Sequence, residues 1–198
     1  MFTRRSALAV ALAHTALSLS ALADGIQGYY RQPAIRGDTL VFVAEGDLWR
    51  VTVGGGRATR LTSHPGEEGT PAISPDGKTL AFAAQYEGPT EVYTMPLDGG
   101  LPVRRTFDGA RASVQGWTSD GRVLAATDRF STLPSQQLFT IDLSSGARSV
   151  VPLAQAAEGS FEGDANSPLY FTRLQFQGSN TKRYKGGTAQ NLWKFAGT

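Results

Sequence analysis

Gly69-Thr-Pro-Ala-Ile-Ser-Pro-Asp-Gly-Lys-Thr-Leu-Ala-Phe-Ala84 reads as an apolar strand, a tight turn and a second strand. Forty-four residues further on, the same grammar returns as Gln115-Gly-Trp-Thr-Ser-Asp-Gly-Arg-Val-Leu-Ala-Ala126. Several short strands recurring with a period of about 40–45 residues mark a propeller blade. A repeat of this kind constrains the fold more than any composition does, because one unit cannot bury its faces alone and must stack on copies of itself.

The copies are visible along the chain. A first unit spans 29–62, with strands expected at Tyr30–Ile35, Thr39–Ala44, Asp47–Val53 and Arg57–Thr62. Gly37-Asp38 and Gly54-Gly55-Gly56 separate them with turn chemistry. The second, 69–107, expects Gly69–Ser74, Thr79–Gln85, Glu91–Leu97 and Pro102–Phe107. The third, 112–151, expects Ala112–Thr118, Arg122–Thr127, Gln137–Leu143 and Ala147–Val151. A fourth runs over 160–198 with Pro168–Arg173 and Gln190–Phe195, and stops before an outer strand.

Third-strand anchors fall in line as Asp47-Leu-Trp49, Glu91-Val-Tyr93, Gln137-Leu-Phe139 and Asn191-Leu-Trp193. Each sets an aliphatic beside an aromatic, which a strand sends to opposite faces. Both faces are then buried, as in radially stacked blades. A two-layer sandwich would leave one face polar. The expected fold is therefore all-β: an incomplete β-propeller of about four blades, each a four-stranded antiparallel sheet, preceded by an N-terminal signal helix. An arc of blades leaves two flat apolar faces open, which predicts weak stability and aggregation of the piece alone.

That signal occupies residues 1–23. Arg4 and Arg5 form a basic start, Ala7–Leu22 an apolar run, and Ala21-Leu22-Ala23 a small-x-small cleavage site. His14, Thr15 and two serines interrupt the run, which is short for a membrane span. Thr3-Arg4-Arg5-Ser6 fits a twin-arginine signal loosely, so either that route or general secretion serves. The expectation is a periplasmic or secreted protein comprising 24–198, with no stable membrane insertion after cleavage. Removing residues 1–23 leaves 17 basic and 17 acidic residues. A balanced chain gives no electrostatic case for nucleic acid.

With no cysteine there is no thiolate nucleophile, disulfide or Cys-based metal site. His64, the only histidine after the signal, sits in Ser63-His64-Pro65-Gly66, a turn between units, and reads as a solvated loop residue. Glu67, Glu68 and the scattered aspartates read as turn residues, without the alternating spacing of a calcium loop. No catalytic residue, cofactor or metal site is expected. Trp49, Tyr93, Phe139 and Trp193 read as core, recurring once per unit. The spacing between the last two anchors is long because Gln175–Ala189 is inserted, and it carries the one local basic run, Lys182-Arg183-Tyr184-Lys185. That run is a candidate docking loop for another domain or subunit.

Ser74-Pro-Asp-Gly-Lys-Thr-Leu-Ala-Phe82 resembles the blade signature of TolB-like six-bladed propellers. Gly28–Trp49 and Tyr170–Trp193, the latter including the insertion, resemble the N-terminal propeller of tricorn-type proteases. The resemblance covers essentially all of Gly25–Thr198. It implies a segment of a large serine peptidase that degrades peptides, acting as scaffold and substrate filter, with catalytic residues far C-terminal. Its implied partners are peptides, the C-terminal domains of a parent chain and further copies of that chain. Two alternatives stand beside it: a TolB-like periplasmic protein-binding propeller without activity, and the propeller of a prolyl-oligopeptidase-type enzyme.

Overall fold

The computed structural model describes residues 28–131, 135–175, 186–187 and 189–196. The signal segment and the basic run Lys182–Lys185 lie outside the described residues. Within them every regular element is a strand. The first sheet is β1 (Arg31–Arg36), β2 (Thr39–Ala44), β3 (Asp47–Thr52) and β4 (Thr59–Arg60). The second holds β5 (Glu68–Ile73), β6 (Thr79–Ala84), β7 (Glu91–Pro96) and β8 (Val103–Arg104). The third holds β9 (Ala112–Trp117), β10 (Val123–Thr127), β11 (Gln137–Ile141) and β12 (Arg148–Val150), and the last β13 (Glu158–Phe161), β14 (Leu169–Thr172) and β15 (Leu192–Phe195). Each sheet is an antiparallel meander in chain order, three of four strands and one of three. The first strands β1, β5, β9 and β13 lie beside one another in series, so the sheets are blades set around a common axis.

Turn chemistry closes the hairpins as the sequence requires. At Ser74-Pro75-Asp76-Gly77 the Gly77 amide donates to the Ser74 carbonyl at 2.9 Å, and Gly77 takes a φ of 71°. Ser74 Oγ donates to Asp76 Oδ1 and accepts from the Thr79 amide. Asp142 repeats the device, accepting from the Ser144 hydroxyl and the amides of Ser144 and Ser145, which pulls its carboxyl down to about 2.

The outer strands are shorter than the sequence suggests: β4 and β8 have two residues each. A side chain ends the ladder. The Leu48 amide donates to Thr62 Oγ1 and the Val92 amide to Thr106 Oγ1, both at 2.9 Å. Two residues before each threonine, Arg60 pairs with Asp47 and Arg104 with Glu91. The Arg-x-Thr pattern thus clips an outer strand to the acidic start of the third strand.

Alternation on the middle strands makes the core. Val41 and Val43 on β2 meet Leu80, Phe82 and Ala84 on β6. From the opposite face of β6, Ala81 meets Val123, Ala125 and Phe139 of the third blade. Leu124 and Ala126, on the other face of β10, meet Leu169 and Phe171 of the fourth. A backbone bond recurs at each joint: Glu68 N–H to Gly46 O, Ala112 N–H to Thr90 O and Ala156 N–H to Gln136 O, at 2.9–3.0 Å. The end blades differ. Phe42 faces away from the second blade, and Tyr30 covers it edge-on at 5.1 Å beside an apolar hollow of about 370 Å³. In the fourth blade Leu192 and Trp193 are exposed, unlike their buried counterparts Leu138 and Phe139, so the once-per-blade core reading fails there. Only one neighbouring sheet is described beside that blade.

One reading of the sequence is corrected at the first joint. Glu68 is no turn residue: it opens β5 and is buried. Its Oε2 accepts from Thr62 Oγ1 at 2.8 Å and its Oε1 from the Tyr86 hydroxyl at 2.6 Å. Burial is the chief cause pushing its carboxyl above the ordinary 4.5; those two donors oppose it, and nearby Asp47 adds to it. Tyr86 is raised as well, by burial and then by Glu68.

Two outcomes follow from this packing. Phe82→Ala empties the centre of the first joint and should cost about 3–5 kcal/mol in urea unfolding; a loss below about 1 kcal/mol would contradict the packing described. Because the folded value of Glu68 lies above its unfolded one, its contribution to stability is full below about pH 4.5 and is lost as pH rises through the folded value. Glu68→Gln should therefore gain on the parent chain between pH 4 and pH 8, read as the difference in unfolding midpoints. A difference that stays flat across that span removes the effect.

Candidate functional site

The first strands begin with an irregularity. Gln32 and Pro33 together oppose Phe42, and Thr70 and Pro71 together oppose Phe82, so β1 and β5 each carry a bulge. Gln32 has a φ of 49° and Thr70 of 46°. Proline following each residue disfavours the right-handed helical region for it. For β-branched Thr70 the left-handed conformation is an outlier, costing on the order of 1–3 kcal/mol.

These bulges are tied blade to blade. The Thr70 amide donates to Gln32 Oε1 at 2.6 Å, and the Val114 amide donates to Thr70 Oγ1 at 3.0 Å. Each bulge side chain accepts from the backbone of the next blade's inner strand. Trp117 Nε1 adds a bond to the Ala72 carbonyl at 2.9 Å. Thr70 is held from both sides, by Gln32 of the first blade and by Val114 of the third.

Beside them opens a cleft of about 230 Å³ where the inner strands start. Arg31, Arg111 and the exposed Glu67 line it with the buried Glu68 behind them, and four glutamines stand around it. No aromatic ring lines it. Sequence reasoning missed this cleft: the bulges had a signal in Gln-Pro and Thr-Pro, but glutamines scattered over 32–175 carried none.

Other candidates disperse. His64 is exposed; its Nδ1 accepts from the Gly66 amide at 2.9 Å and its ring packs on Tyr86 at 4.2 Å. Glu67 is exposed on the cleft rim. Among the described residues no three His, Cys, Asp or Glu side chains form a metal-holding group. Lys182, Arg183, Tyr184 and Lys185 lie outside the described residues.

Comparison with known proteins places this architecture. The sequence profile of the family described as tricorn protease N-terminal beta propeller domain matches residues 27–197. Tricorn protease homolog 1 of Streptomyces coelicolor is 34% identical over 167 residues, covering 83% of this chain and 16% of that protein. A protein of Sulfurisphaera tokodaii, named putative tricorn-like protease N-terminal subunit, is 30% identical over 169 residues, covering 82% of this chain and 84% of its own length. Among solved structures, the tricorn protease crystal structure superposes with a TM-score of 0.72 at 23% identity over 84% of this chain and 17% of that one. A putative TolB from Agrobacterium tumefaciens reaches 0.67 at 18% identity, over 85% and 58%. The two structures show the fold alone; the chain spans about a sixth of the Streptomyces relative. With the profile matched over nearly every described residue and the blade arrangement in agreement, the chain belongs to the family of tricorn protease N-terminal β-propeller domains.

Proposed function

We propose that this chain is the non-catalytic propeller segment of an exported tricorn-like serine peptidase, a scaffold and filter through which peptides pass. The observation carrying the reading is the pairing of the family match over 27–197 with an axial cleft whose side chains hold hydrogen-bonding groups and charges of both signs. The chemistry is assigned to the parent protein beyond this chain. Against the prolyl-oligopeptidase alternative, the profile match favours a tricorn-type parent. The TolB likeness supports the fold and leaves that family's binding role a separate hypothesis.

A second arrangement has its own support. The Sulfurisphaera relative carries the name N-terminal subunit and is 84% covered by this chain. In that arrangement the propeller segment is a separate polypeptide, and the exposed faces of its end blades are where a catalytic subunit docks. The basic run Lys182, Arg183, Tyr184 and Lys185 is assigned the same docking task, toward a domain or another copy. Changing Lys182, Arg183 and Lys185 together to Ala should weaken assembly of the full protein in analytical ultracentrifugation; unchanged assembly removes that assignment.

The filter is tested by deleting 24–198 from the parent peptidase. Dipeptide reporter cleavage should persist while the size distribution of products from longer peptides changes. An unchanged distribution, or peptide cleavage by purified 24–198 alone, overturns the reading. Export through residues 1–23 is tested with a periplasm-only reporter. Activity should appear with the native segment and vanish when it is removed, and Arg4→Lys with Arg5→Lys should block export only if the twin-arginine route is used. A reporter equally active without the segment ends the export proposal.

A further inference from the structure

Four glutamines, one from each blade, converge on the axial cleft: Gln32 of the first, Gln85 of the second, Gln136 of the third and Gln175 of the fourth. Each already spends one end of its amide. Gln32 Oε1 accepts from the Thr70 amide, Gln85 Nε2 donates to Thr90 Oγ1 at 3.0 Å, and Gln175 Nε2 donates to Gln136 Oε1 at 2.7 Å. The opposite ends of these amides, two NH2 groups and two carbonyls, have no partner among the described residues. Donors and acceptors are thus presented in equal number.

We infer that this amide set, shaped by the strained bulge at Thr70, is a binding site that reads the main chain of an extended peptide irrespective of its side chains. The chemistry of the lining selects among ligand classes. A nucleic acid or phosphate would want net positive charge, and here Arg31 and Arg111 share the lining with the exposed Glu67, while Arg111 also faces Asp128 at 4.0 Å. Single strands of nucleic acid also use aromatic stacking, which the lining lacks. A peptide main chain alternates one donor and one acceptor per residue, and the side-chain amide carries that same pair of groups. Because the amides are uncharged, recognition does not choose between acidic and basic peptides.

Strain gives the site its rigidity. Thr70 is held in its outlying conformation by two bonds across blade joints, one accepted by Gln32 and one donated to its hydroxyl by Val114. Outlying backbone that persists only because its surroundings over-determine it clusters at ligand clamps. Here the clamp keeps Gln32 pinned and the start of β5 in place against the cleft. The inference deepens the filter reading above and rests on it in one respect, that peptides reach this end of the axis.

The test uses the full chain, in its parent protein where that is continuous, and fluorescent peptides capped by N-acetyl and C-amide groups. Two capped hexapeptides of unrelated sequence should bind with similar affinity in anisotropy titrations. Copies with the same side chains but N-methylated backbone amides should bind about tenfold more weakly or worse, since they have lost the donors that the cleft's carbonyls would accept. Gln85→Met combined with Gln175→Met, both at exposed positions, should weaken the unmodified peptides by a similar factor while circular dichroism shows the chain still folded. Absence of binding at millimolar peptide, indifference to N-methylation, or strong preference for one sequence each overturns the inference. Failures of the two readings separate cleanly. Capped-peptide binding with no effect of the propeller deletion on products sinks the filter and spares the site; a deletion effect without capped-peptide binding does the reverse.

Discussion

The interaction on which this architecture depends is the burial of both faces of the middle strands. On β6 and β10 successive side chains alternate between two flanking sheets, and both sets are out of water. Leu80 and Phe82 pack backward to the first blade while Ala81 packs forward to the third. A sheet with one solvated face could not be built from this sequence, because polar residues are missing from the alternate positions of these strands.

Hydrophobic contact alone would leave the joints free to slide, since it is non-directional. Direction comes from polar groups placed once per blade. The recurring amide-to-carbonyl bond at Glu68, Ala112 and Ala156 fixes each blade's entry against the preceding one. Glu91 at the start of β7 is buried, and burying it is tolerable because partners are supplied by Arg104, Thr106 and the Gly109 amide. Glu68 has only neutral donors, Thr62 and Tyr86, and its carboxyl is raised above the ordinary range.

The repeat was legible because each blade solves the same problem with the same residue types. Ser-Pro-Asp-Gly turns, paired aliphatic and aromatic anchors and strand alternation all report local constraints, and local constraints are written contiguously. Less legible were features made between blades. Glu67-Glu68 looks like one polar pair in a turn, yet Glu67 is exposed and Glu68 is buried because β5 begins between them and reverses side-chain direction. Arg-x-Thr reads as part of a strand, while its threonine hydroxyl ends the ladder. The cleft was invisible for the same reason: Gln32, Gln85, Gln136 and Gln175 share no motif or spacing and meet only through the curvature of stacked sheets.

What a blade buries also sets what an unstacked blade exposes. Leu192 and Trp193 stand where Leu138 and Phe139 are fully covered in the third blade, with the same residue types at the same strand position. The difference is therefore in what is packed beside them and not in the sequence of the strand. On the first blade the exposed ring is Tyr30, which covers the buried Phe42 beside an apolar hollow with no sheet against it among the described residues. Apolar area of this kind costs about 25 cal/mol for each Å² left in water. Covering either face is thus favourable whether the cover is continuous with this chain or a separate polypeptide. That physical equivalence explains how one family can hold both a relative several times longer than this chain and one of nearly its own length.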